Sequence, residues 1–88
     1  MLEGKTTSGF RWKLEDDALD NYELLEALRE IDTGNEAAVV DMINLLLPEE
    51  EKKALKDHIR SQSGRVSAKK MIQEVAEILE ASKEGKNS

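Results

Sequence analysis

The sequence predicts a mainly α fold, a small bundle of about four helices with an N-terminal β-hairpin. Three observations predict it. Phe10, Trp12 and Leu14 alternate with Arg11 and Lys13 directly after Ser8-Gly9. Four later stretches repeat apolar residues at helical spacing. Gly34, Pro48 and Ser63-Gly64 separate those stretches at points where a helix stops. The chain of 88 residues is read as one domain, 1–88, with a hairpin over 2–14, a helical bundle over 16–82 and a frayed tail over 83–88. A chain of this length buries roughly 60–65% of the surface that its unfolded form exposes, so a modest stability is expected.

Period-two alternation puts Phe10, Trp12 and Leu14 on one face of a strand and Arg11 and Lys13 on the other. Lys5-Thr6-Thr7 has moderate strand character, and Ser8-Gly9 suits a two-residue turn because glycine accepts positive φ. The predicted hairpin therefore pairs Leu2–Thr7 with Phe10–Leu14. A lone hairpin is marginal in water, so its aromatic face must pack on helices. Asp16 and Asp17 are N-cap candidates for a first helix over Asp17–Asp32. In it Leu24, Leu25, Leu28 and Ile31 recur at helical spacing, Leu19 and Tyr22 extend the stripe, and Gly34 ends it. Asn35 is a cap candidate for a second helix over Ala37–Leu47. Only Asp41 and Asn44 are polar there, which predicts the central, most buried helix with those two marking its solvent side. Pro48 ends it and opens a third helix, whose Glu49-Glu50-Glu51 start suits the helix dipole and whose stripe is Leu55 and Ile59. Gly64-Arg65-Val66 is an extended link. Ser67 caps a fourth helix bearing Ala68, Met71, Ile72, Val75, Ile78 and Leu79.

The chain has no cysteine, so neither a disulfide framework nor a thiolate zinc site is available, and a reducing compartment fits. No apolar run approaches the ~20 residues needed to cross a bilayer. Met1-Leu2-Glu3-Gly4-Lys5 has no apolar core of a signal peptide. The expectation is a cytoplasmic protein with no membrane partner. The net charge of −6 disfavours phosphate-backbone binding, so no nucleic-acid partner is expected. Charge is also uneven. Residues 1–50 carry four Lys/Arg and thirteen Asp/Glu, a net of −9, and residues 51–88 carry nine and six, a net of +3. Such polarity suits head-to-tail self-association or a basic partner at the front half, or is simply a difference between solvated helix faces.

Candidate chemistry is sparse. His58, the only histidine, lies between Leu55 and Ile59 and has only Asp57 beside it, which points away on a helix. It reads as a partly exposed packing or hydrogen-bonding residue. Glu15, Asp16, Asp17 and Asp20 lack the spacing and the turning glycine of a calcium loop and read as a helix start. Arg60, Arg65, Lys69 and Lys70 form a basic patch around the link between the third and fourth helices. It resembles the phosphate-touching turn of a helix-turn-helix unit and equally fits an acidic surface of a partner copy. No nucleophile triad, phosphate loop or paired-acid geometry is argued by the spacing, so no enzyme, cofactor or metal is expected.

Several stretches in order carry a family resemblance. These are Ser8-Gly9-Phe10 before the alternating strand, Leu19-Asp20 and Glu23-Leu24-Leu25 at an acidic helix, Leu45-Leu46-Leu47, Leu55 with His58, Gly64-Arg65-Val66, and Met71, Glu74 and Ile78. The ordered set covers residues 5–80 and resembles the short tail assembly chaperones of long-tailed bacteriophages and prophages of Gram-positive bacteria. Ser67 departs from it, since many relatives place a proline there; a cap does the same starting job. The resemblance implies a non-catalytic protein in the host cytoplasm that keeps the long helical tape measure protein soluble while tail tube subunits polymerise round it. It also implies a longer form made by a programmed frameshift, and Gly85-Lys86 is compatible with a slippery GGGAAAG codon pair. Leu24 and Leu25 lie about 100° apart on a helix, so one can face the core and the other the outside. Helix one and the hairpin face are accordingly the expected client or self-contact surface, with Phe10, Trp12, Leu19, Tyr22, Leu25, Arg60 and Arg65 as candidate partner-binding residues and weak homo-oligomers as a further expectation. Two other readings compete: a small helical adaptor of head–tail or regulatory type, and a DNA-binding regulator using the Arg60–Lys70 turn.

Overall fold

Alternation and glycine chemistry together decide the N-terminal end. In the computed structural model, which describes residues 1–84, strands β1 (Leu2–Lys5) and β2 (Arg11–Leu14) pair antiparallel, with Leu2 opposite Leu14 and Lys5 opposite Arg11. The loop is one residue longer than the predicted Ser8-Gly9 turn. Thr6 N–H donates to the Phe10 carbonyl at 2.9 Å and Gly9 N–H to the Thr6 carbonyl at 3.0 Å, leaving Thr7, Ser8 and Gly9 as the loop. Gly9 sits at φ +96°, the left-handed position that closes a three-residue hairpin loop. Thr7 is thereby released from the strand. The alternation holds: Phe10, Trp12 and Leu14 are buried and Arg11 and Lys13 exposed. Gly4 faces the Trp12 indole so closely that a Cβ there would stand 2.9 Å from its ring.

Helix α1 (Tyr22–Asp32) starts five residues after the predicted Asp17. Asn21, not Asp16 or Asp17, is the cap: its extended backbone carries a side chain that accepts Glu23 N–H at 3.0 Å. Residues 15–20 form turns instead, with Ala18 N–H on the Glu15 carbonyl and Asp20 N–H on the Asp17 carbonyl. Four carboxylates within six residues repel one another in a helical turn, and aspartates compete for nearby backbone groups. Asp16 is held by the N-terminal ammonium of Met1. Gly34, at φ +99°, follows the end of α1 as expected.

Helix α2 (Ala38–Leu46) begins without a side-chain cap. Asn35 turns its amide to Glu30 Oε2 at 3.3 Å, so it is not the predicted cap. Four of the nine residues of α2 are buried, the largest share of the four helices, as its apolar run predicted. Ala38, Met42, Ile43 and Leu46 are buried, while Val40 is 61% exposed beside Asp41 and Asn44, which face solvent as predicted. Helix α3 (Glu49–Ser63) follows Pro48 and ends at Gly64, φ +80°, whose N–H reaches the Arg60 carbonyl at 2.8 Å. Helix α4 (Ala68–Lys83) is capped by Ser67, which accepts Lys70 N–H at 3.3 Å. It runs through Lys83, where a frayed tail was expected to start; positions 85–88, including Gly85-Lys86, lie outside the described residues. Of its predicted stripe, Met71, Val75, Ile78 and Leu79 are buried, whereas Ala68 and Ile72 face outward and Glu74 is buried instead.

The described residues thus form four helices and one two-stranded hairpin around a single core. Helix α1 packs chiefly on α2, α2 on α3, α3 on α4, and α4 on β1. The hairpin's apolar face completes the core with Leu24, Leu55, Ile59, Val75 and Ile78, the most completely buried large side chains. No described helix is long and apolar enough to cross a membrane.

Candidate functional site

Two places combine polar chemistry with a shaped surface: the hairpin tip and the furrow between α1 and α2.

At the tip, the loop side chains reach α3 and α4. Thr6 Oγ1 donates to Glu74 Oε1 at 2.7 Å, and Ser8 Oγ donates to the same oxygen at 2.8 Å. With its proton on the carboxylate, Ser8 Oγ accepts from His58 Nε2, 3.1 Å away, which places a proton on that ring nitrogen. Phe10 N–H in turn donates to Thr6 Oγ1 at 3.2 Å. The order is histidine, serine, carboxylate, so the imidazole is not held between the other two as in a nucleophile relay. Glu77 accepts both the Thr7 N–H, at 2.9 Å, and the Thr7 hydroxyl, at 3.0 Å. Gln62 donates to the Ser8 carbonyl at 3.2 Å. The His58 ring also lies 5.5 Å from the Phe10 ring, tilted by 47°. Glu74, only 6% exposed, has its buried oxygen satisfied by two hydroxyls, which is what a carboxylate in a core requires. His58 therefore packs and bonds as its sequence position suggested. Ser8, Phe10, His58 and Glu74, four residues of the family resemblance, meet at this point.

The furrow is different in kind. A hollow of about 540 Å³ runs along the seam of α1 and α2, with Glu23, Glu26 and Glu30 on one rim, Asp41 on the other, and Ala27, Ala38 and Leu45 in the floor. A second hollow of about 550 Å³ shares Asn44 and Leu45 with it and adds Glu15, Asp17 and Asp20, with Tyr22 at the edge. The charge division is sharper than a split into halves. Residues 15–51 hold thirteen Asp/Glu and one Arg, a net of −12, against +2 before them and +4 after. Helices α3 and α4 balance their own charges through Glu49–Lys52 at 2.8 Å, Asp57 with Lys53 and Arg60 at 3.5 and 2.9 Å, and Glu80–Lys83 at 3.8 Å. Among the described residues α1 and α2 contain no ion pair. Lys52 lowers the pKa of Glu49 by hydrogen bond and charge, and Asp16 raises that of the Met1 ammonium in the same two ways.

The seven candidate partner-binding residues separate into groups. Phe10 and Trp12, 7% and 3% exposed, are core residues, so the hairpin's aromatic face is covered by the chain's own helices and is not a free contact surface. Leu19 is half-buried against the core. Tyr22 and Leu25 stand one turn apart on α1, 75% and 55% exposed. Arg60 and Arg65 are exposed at the α3–α4 corner, with Arg60 engaged by Asp57. Helix α3 spans about 22 Å and runs from the Pro48 end of the furrow to that corner, which sets the two apart. No described group of three or more acids and histidine is placed to hold a metal ion. No protein-family model, curated protein or solved structure matches the chain.

Proposed function

We propose that this chain is a non-catalytic tail assembly chaperone of a bacteriophage or prophage, which binds the tape measure protein in the host cytoplasm and keeps it soluble while the tail tube assembles. The observation that carries the reading is α1. Its outward face presents Tyr22 and Leu25 to solvent beside Arg29, on a helix whose other charges are acidic. A helical client exposes apolar stripes, and a chaperone must cover them without opening its own core. Side chains that stand outside the core of a folded domain meet that need. The ordered resemblance across residues 5–80 supports the same reading. Many copies acting along one long client also suit weak, reversible self-association. A frameshifted longer form, diverging at Gly85-Lys86, would retain every element described above.

The first test is the DNA downstream of the reading frame. A slippery run at Gly85-Lys86, an overlapping shifted frame and a very long gene rich in heptad repeats are expected. That gene's product is then captured on the immobilised chain, and the Tyr22→Ser/Leu25→Ser double variant is expected to lose most of the capture while keeping its circular dichroism. An unrelated neighbourhood and no capture would replace this reading with that of a different small helical adaptor.

A further inference from the structure

We propose that the α1–α2 furrow is a docking groove for a basic amphipathic helix of the partner protein, with Lys and Arg along the helix flanks and small or branched apolar side chains facing the floor. The inference deepens the preceding reading and rests on its protein-binding half alone, whether or not the partner is a tape measure protein.

Both rims of the furrow carry the same sign: Glu23, Glu26 and Glu30 on α1 face Asp41 on α2. Glu26 and Glu30 are one turn apart on one helix, a spacing at which like charges oppose helix formation. None of the four makes an ion pair, although Arg29 follows Glu26 by three residues, and Glu30 has only the Asn35 amide. The other two long helices solve this problem within themselves through their ion pairs. On the α1–α2 surface Lys52 reaches only Asn44, at 2.9 Å, and the acids along the rims are left to something outside the chain. Small residues in the floor decide the shape of that occupant. Ala27 and Ala38 let a second backbone come close, and Leu45 offers an apolar contact between the two hollows. An extended polybasic strand would answer the charge and leave the half-buried Leu45 uncovered, Ala27 and Ala38 being already only 7% and 4% exposed. A helix answers both, because its flanks and its apolar stripe lie on neighbouring faces. From Tyr22 to Glu30, α1 rises about 12 Å, room for roughly two turns of docked helix, and the adjoining hollow with Asp17 and Asp20 extends it.

The test uses a fluorescent synthetic helix of about four turns with Leu and Ala on one face and Lys on both flanks, together with a twin in which Glu replaces every Lys. Anisotropy titration of the whole chain is expected to show binding of the basic helix that weakens about tenfold from low to high salt, and none of the acidic twin. The Glu26→Lys/Asp41→Lys variant is expected to lose at least about tenfold in affinity and to accept the acidic twin. An Asp32→Lys/Glu50→Lys variant makes the same change in net charge at exposed positions outside the furrow and is expected to lose less than about threefold. Amide shifts on binding are expected at Ala27, Ala38, Asp41 and Leu45. Equal losses in the two variants, shifts confined to other faces, or no binding of the basic helix would each overturn the proposal. A basic helix that docks in the furrow while the downstream gene product is not captured keeps this inference and removes the chaperone reading. Capture that Glu26→Lys/Asp41→Lys leaves intact does the reverse.

Discussion

Glu74 shows how a residue given no role by its local sequence can be decisive in structure. It lies three residues after Met71 and four before Ile78, on the apolar face of α4, and its oxygen receives the hydroxyls of Thr6 and Ser8. Glu74→Ala removes the acceptor that both hydroxyls share, leaving them only each other, 3.2 Å apart, to donate to, and should cost about 1–3 kcal/mol in denaturant unfolding. Glu74→Gln keeps a carbonyl at the same place and should cost less. The sign of this role was present in the sequence as a carboxylate within an apolar stripe. Its partners were not, because Thr6 and Ser8 precede it by 68 and 66 residues and no local pattern links them. Gly4 makes the same point. Nothing in Leu2–Lys5 marks it, yet a Cβ would strike the Trp12 indole. Gly4→Ala should therefore lower stability by about 1–3 kcal/mol, read from the midpoint of urea unfolding.

Elements were legible to the degree that local chemistry fixes them. The stops at Gly34 and Gly64 and the cap at Ser67 could be read directly, since a left-handed glycine or a capping hydroxyl acts within one turn. The start of α1 could not, because Asp16, Asp17 and Asn21 are all good caps and only the entry from β2 selects among them. Asn21→Ala should cost about 0.5–2 kcal/mol by thermal or urea unfolding, and Asp17→Ala close to nothing. If the two were equal, the helix would begin earlier than described. The start of α3 carries a pH signature. Lys52 holds the Glu49 carboxyl below its usual 4.5. A carboxylate held down in the folded state stabilises it above the unfolded value and loses that contribution as pH falls through the lower folded one. Glu49→Gln should accordingly lower the melting temperature at neutral pH and leave it unchanged in strong acid.

At the scale of the whole molecule, the sequence predicted the class and order of elements but not which face would be left over. Alternation placed Phe10 and Trp12 together, and periodicity placed Tyr22 with Leu25. The marginal stability of a lone hairpin already required the first pair to pack on helices, whereas only the packing reveals that the second stays outside. The same holds for charge. A net of −12 over residues 15–51 is plain in the sequence, but that Glu23, Glu26 and Glu30 face Asp41 across one furrow depends on how α1 lies on α2. Self-repulsion along that furrow should be relieved by screening. The melting temperature is expected to rise from low salt to roughly physiological ionic strength, where the Debye length is about 8 Å. Glu26→Lys should flatten that rise, and Glu50→Lys should leave most of it in place.

The bonds from Thr7 to Glu77 and from Thr6 to Glu74 join residues 70 and 68 positions apart, which gives the chain a definite order of completion during its own synthesis. The hairpin leaves the ribosome ahead of the helices and lacks its α4 contacts until that helix has followed. For that interval Phe10, Trp12 and Leu14 face water on a two-stranded ribbon that is marginal alone. A nascent chain arrested before residue 74 should therefore be sticky and protease-sensitive at its N-terminus, while one arrested with α4 outside the tunnel should be protected there. The hairpin is made before α4 yet completes its contacts only after it.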